Sequence, residues 1–137
     1  MQILVFRLGE ELYGLEVEKI QEVVESPVLH YIPRASTHLL GAVNFHGNIL
    51  PVLDLASFLG FFHEQRDQRI IILASGLCTL ALAVTAVGRI VTCDADALLP
   101  LQQEQQPGFH IRAVLSREEE MINMLDAARL LTSLEKT

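Results

Sequence analysis

This chain repeats itself. From Gly41 to Leu59 it reads as a strand opening on Ala42-Val43, a polar turn, an apolar strand ending at Leu53-Asp54, and a short Leu-rich helix. From Arg112 the same order returns, with Ala113-Val114, a turn at Arg117-Glu118-Glu119, an apolar strand, Leu125-Asp126 and a second Leu-rich segment. Upstream, residues 3–24 match residues 70–91, and Val17, Ile20, Val23 and Val24 find counterparts in Val84, Val87, Ile90 and Val91. The offset is 67 residues between Val17 and Val84 and 71 between Ala42 and Ala113. Four elements recurring in one order imply two related modules. The expected division is one domain over residues 1–137, with a first module at 12–66, a second at 67–137, and strand 3–8 open to sharing.

Many short apolar runs separated by turn signals predict a mainly β fold. Ile3 to Leu8, a turn at Gly9-Glu10-Glu11, and Leu12 to Val17 form the first hairpin. After a further turn, Val23-Val24 favours a strand. Ser26-Pro27 breaks it, and Ile32 before Pro33 is extended. Ser36 is placed to cap one helical turn holding His38, Leu39 and Leu40. Residues 42–46 form a strand, Gly47-Asn48 the turn, and Ile49 to Leu53 its partner. Pro51 lacks a backbone donor and requires an edge or a bulge there. Asp54 and Asp126 each begin a short helix, and Gly60 ends the first. Residues 62–68 and 100–108 are polar connections.

The net charge of −7 over 137 residues argues against nucleic acid and anionic lipid as partners. No apolar run approaches the ~20 residues that cross a bilayer. No basic, apolar and cleavable leader is visible, so a cytoplasmic protein is expected, without membrane insertion. Cys78 and Cys93 form neither a metal pair nor a disulfide framework, and are read as mostly buried reduced thiols.

Catalytic chemistry finds no constellation. Asp54 and Asp126 suit helix caps better than acid–base work. No Gly-x-Ser-x-Gly elbow accompanies His46. His30, His38 and His46 are spaced eight apart, but no His-x-x-x-His or Cys-x-x-Cys pair supports a metal. No phosphate-binding glycine loop is present. The residues themselves therefore point to a β module that binds something, with no cofactor and no metal.

Residues 3–61 carry a resemblance. Leu4 to Gly9, Tyr13 to Val17, Ile20-Gln21-Glu22-Val23, Ile32-Pro33, and above all Gly41-Ala42-Val43-Asn44-Phe45-His46-Gly47 with Leu50 to Leu55 resemble the CheW family of chemotaxis coupling proteins. The resemblance implies two packed five-stranded SH3-like barrels with a short helix after each module. It implies a non-enzymatic adaptor in chemotaxis or twitching motility. The implied partners are the regulatory domain of a CheA-type histidine kinase and chemoreceptor cytoplasmic tips, the latter in the groove between the barrels. By position it makes Ile20, Glu22, Val23, Asn44, Phe45, His46 and Gly47 the partner-binding residues. The family's Asn-Leu-Arg-Gly stands here as Asn44-Phe45-His46-Gly47, so the family's arginine–glutamate pair would become His46 with Glu22. Where the family has Val-Asp, this chain has Val84-Thr85. The alternative reading is a regulatory module that binds a small molecule or a metal in the inter-barrel groove.

Overall fold

A computed structural model describes residues 1–33, 37–61, 65–74, 80–100 and 110–135. Cys78, Ser36 and its proposed cap, part of the 62–68 connection and nearly all of the 100–108 loop lie outside the described residues. The strands are β1 (Gln2–Leu8), β2 (Glu11–Glu16), β3 (Ile20–Glu25), β4 (Leu39–Phe45), β5 (Asn48–Asp54), β6 (Arg69–Leu73), β7 (Ala81–Ala83), β8 (Ala86–Thr92), β9 (Leu98–Pro100), β10 (Ile111–Arg117) and β11 (Glu120–Leu125). Two short helices follow hairpins: α1 (Leu55–Phe58) after β5 and α2 (Ala127–Glu135) after β11. Leu39 and Leu40, expected in a helical turn, open β4 instead.

The strands form two sheets, ordered β8-β1-β2-β11-β10-β9 and β3-β6-β7-β5-β4. Each draws on both halves of the chain. Hairpin β1-β2 lies among strands of the second half, and hairpin β6-β7 lies among strands of the first. The exchange is reciprocal: β2 pairs in parallel with β11, and β7 pairs in parallel with β5. The second sheet has the expected five strands. The first gains a sixth because Leu98–Pro100 pairs with β10, whereas the second sheet has only an isolated bridge from His30 to Ala42.

The exchange explains why the hairpin strands are apolar on both faces. In β1, Ile3 and Val5 join Val91, Ala113, Leu115, Ile122 and Met124 inside the first sheet. Their neighbours Leu4, Phe6 and Leu8 point the other way, into a core shared between the sheets. β6 does the same, with Ile70 and Ile72 inside the second sheet and Ile71 and Leu73 in the shared core. A strand buried on both faces reads as a continuous apolar run. Burial of this apolar surface is the main force holding the two sheets as one body.

The copies agree in detail. Asp54 Oδ1 accepts from Ser57 N at 3.3 Å, and Asp126 Oδ1 accepts from Arg129 N at 3.0 Å, so both are the helix caps the sequence suggested. Asp54 N donates to His38 O and Asp126 N to His110 O. His38 and His110 in turn reach Ser57 and Ser133 of the following helices, and both rings lie against Phe58. Burial lowers the His110 pKa, as does Arg129, with Asp126 opposing.

The register corrects the repeat by one residue. Gly41 faces Val52 and Ala113 faces Met124, with a bulge just before each. Gly41, not Ala42, is therefore the counterpart of Ala113. Both turns hold two residues and the offset through this hairpin is 72 (Gly41 to Ala113), against 67 from Ile3 to Ile70, so the second copy carries five more residues upstream of β10. His46 (φ 51°) and Gly47 (φ 85°) form the β4-β5 turn, and Glu118 (φ 48°) with Glu119 (φ 68°) forms the β10-β11 turn. Two central residues at positive φ match the twist of a tight hairpin. The turn thus begins at His46 rather than Gly47, and Asn48 already pairs with Phe45. Pro51 sits just before the stretch of β5 that pairs with β7, where the missing donor costs nothing on that side.

Candidate partner-binding surface

Ile20, Glu22 and Val23 share β3, an outer strand of the second sheet. A register shift between Ile20 and Glu22 re-aims the strand. Ile20 and Val23 are half-buried against the shared core, and Glu22 is exposed. Packing therefore explains part of why the two apolar residues stand there.

Asn44, Phe45, His46 and Gly47 occupy the end of β4 and its turn, on the other outer strand. Asn44 Oδ1 accepts from Gly47 N at 2.9 Å and fixes the turn. Phe45 leans on the interior cluster of the second sheet. The His46 ring meets it edge-on, with centroids 4.3 Å apart. The second copy keeps the backbone of this turn but fills it with Glu118 and Glu119. Among the described ion pairs and hydrogen bonds, none joins Glu22 to His46. The imidazole is shorter than a guanidinium and is turned onto Phe45. The structure thus gathers the candidates into two groups, one on each edge of a sheet.

Sequence reasoning passed over a set of exposed apolar side chains. Ile49 and Met121 follow the two turns at equivalent places, and they are 66% and 65% exposed. Strand alternation held the signal: Leu50 and Ile122, one residue on, are buried. Val28, Leu29 and Tyr31 add an exposed apolar stretch beside the second sheet.

Two polar ties hold the frame. Thr85, where the resemblance led one to expect aspartate, is fully buried, and its Oγ1 accepts from Gly9 N at 2.9 Å. Asp67 accepts from Arg69 through its backbone and guanidinium and from Val87 N at 2.7 Å. Burial would raise this carboxyl, but those donors prevail and bring it down to about 2. Tyr13 is pushed up to about 12 by burial and by the Glu11 charge. None of these groups converges on a common open cleft, and no group of three metal-ligating side chains occurs among the described residues.

The family model for the CheW-like domain matches residues 2–135. The chain belongs to the CheW-like family. It is 28% identical to the protein FrzA of Myxococcus xanthus, over 92% of this chain and 82% of that one. It is 30% identical to the protein PilI of Pseudomonas aeruginosa, over 83% of this chain and 66% of that one. A probable chemotaxis protein CheW of Rhizobium etli is 23% identical over 98% of this chain and 89% of its own. Among solved structures, the scaffolding protein TtCheW of Thermoanaerobacter tengcongensis superposes with a TM-score of 0.81 at 29% identity. That match covers 90% of this chain and 87% of the other. The CheW-like fold accounts for the paired sheets and the helix after each module. No described helix is long and apolar enough to cross a membrane.

Proposed function

We propose that this CheW-like chain is a non-enzymatic cytoplasmic adaptor that couples chemoreceptor tips to the regulatory domain of a CheA-type histidine kinase, in chemotaxis or twitching motility. The observation that carries this reading is the family match across residues 2–135, joined to the shared fold with a scaffolding protein. Relatives named for chemotaxis, and FrzA and PilI beside them, set the signalling context. The absence of convergent titratable groups among the described residues fits a protein that works by surface contact. Ile20, Glu22 and Val23 on one edge, and Asn44, Phe45, His46 and Gly47 on the other, are the proposed kinase-binding residues. The receptor helices are assigned to the groove between the sheets.

Titration calorimetry with a kinase regulatory domain tests the face. Glu22→Ala, Phe45→Ala and His46→Ala are each expected to weaken binding by ~1–2 kcal/mol, as central interface residues do, while circular dichroism stays unchanged. Unchanged affinity in all three would remove the assignment.

A further inference from the structure

We propose that the apolar cavity at one end of the second sheet is a binding site for a small amphipathic carboxylic acid, with its aliphatic body in the cavity and its carboxylate on Arg66. The argument starts from the repeat. Ile3 pairs with Glu16 in the first sheet and Ile70 with Ala83 in the second, so Glu16 and Ala83 hold the same position. Arg112 lies at the bulge between Ile111 and Ala113, and Leu40 lies at the bulge between Leu39 and Gly41. In the first sheet Arg112 donates to Glu16, and this charged pair stands beside buried Met124. In the second sheet Leu40, Ala83 and Val52 stand in those three places. They are shorter and uncharged, and with their neighbours they line a cavity of about 400 Å³.

Its walls are Leu29, Leu40, Val52, Ile70 and Ala83. That volume falls within the range of small-molecule sites, which are mostly apolar with a few placed polar groups. The first sheet has a hollow of its own, also about 400 Å³, but Gln2, Glu16 and Glu18 stand in its lining beside Met1 and Val17, where the second cavity has apolar walls. The rim of the second cavity sets the head group. Arg66 and Asp67 both border it. Asp67 already has both oxygens engaged by Arg69 and Val87, so it offers nothing to a cation. Arg66 is half-exposed, and its Nη1 stands 3.6 Å from Asp54 Oδ2, beyond hydrogen-bond range. Its guanidinium is the solvent-open member of the pair, and solvent screening leaves such an attraction weak. A ligand carboxylate can instead take the guanidinium in two parallel hydrogen bonds. The site is independent of the adaptor role.

The test is an amide-resolved NMR titration of the full chain with hexanoate and, separately, hexan-1-ol. Both probes are expected to move the amides of Leu40, Ile70 and Ala83, with hexanoate binding about tenfold tighter, since an ionised partner strengthens the hydrogen bonds. Arg66→Gln should reduce hexanoate to the affinity of the alcohol and leave the alcohol unchanged. Ala83→Met, which refills the position Glu16 holds in the other copy, should lose both probes. If Ala83→Met does not fold, the wild-type map and Arg66→Gln decide. Absence of binding, shifts confined to other residues, or a hexanoate preference that survives Arg66→Gln overturns the assignment. Should neither probe bind while Ala83→Met weakens kinase-domain capture, the cavity receives a protein side chain and the small-ligand site is wrong.

Discussion

Replacing Asp67 with asparagine tests how the two exchanged hairpins are tied together. Asp67 stands just ahead of β6 yet accepts from Val87 N in β8, and Arg69 donates back to Val87 O at 3.2 Å. The network therefore links the start of one hairpin to the strand flanking the other. A carboxyl held at about 2 rather than 3.8 would contribute at most ~2.4 kcal/mol at neutral pH. Arg69 keeps 39% of its side chain in water, so solvent screens much of that, and about 1 kcal/mol is expected. The sign follows from the depressed value. Asp67 stabilises the fold above its unfolded pKa, and that contribution is lost as pH falls from about 5 towards about 2. The amide introduced by Asp67→Asn keeps one acceptor oxygen but turns an N–H₂ towards donors, so it cannot recover the loss. Urea unfolding of both proteins at several pH values is the assay. The wild type should exceed Asp67→Asn by about 1 kcal/mol at pH 7, and the gap should shrink towards pH 2. Other carboxylates titrate in both proteins alike and cancel in the difference. Equal stability at pH 7, or a gap that does not change with pH, would refute the electrostatic account of this tie.

Three further outcomes follow from the same frame. Thr85→Val strips the buried Gly9 N–H of its acceptor and should cost ~1–3 kcal/mol, read by chemical denaturation, whereas Thr85→Ser should lose less. Glu16→Ala leaves Arg112 partly buried without its partner and should cost about 2 kcal/mol; the double variant Glu16→Ala with Arg112→Met should recover most of it. Glu119→Gly relieves a side chain held at φ 68° and should raise stability by roughly 1 kcal/mol in a thermal melt; a lower melting temperature would contradict the turn geometry.

Much of the local structure was legible because it rests on short-range chemistry. Asp54 and Asp126 announced their helices through the cap each supplies. The paired apolar runs announced their strands. The turn at His46-Gly47 was misplaced by one residue because Gly-Asn is also a valid hairpin signal. Ala-Val matching Ala-Val misaligned the copies because that dipeptide recurs one residue out of register, whereas the pairing of each hairpin sets Gly41 opposite Val52 and Ala113 opposite Met124. The candidate binding residues were legible only as a resemblance. Their division between two sheet edges, and the ring of His46 resting on Phe45, required coordinates.

Residue order carries the duplication, the mainly β character and the membership of the CheW-like family. Repetition and alternation are properties of residue order, so they survive without knowledge of the fold. The exchange of hairpins between the copies emerges only in the folded chain, because pairing between distant strands is chosen by which faces can be buried together. Folding likewise gives one sheet end the charged pair Glu16 and Arg112, while apolar Ala83 and Leu40 hold the matching places of the other. Those four residues lie far apart in the chain, and only the two registers set them in matching places.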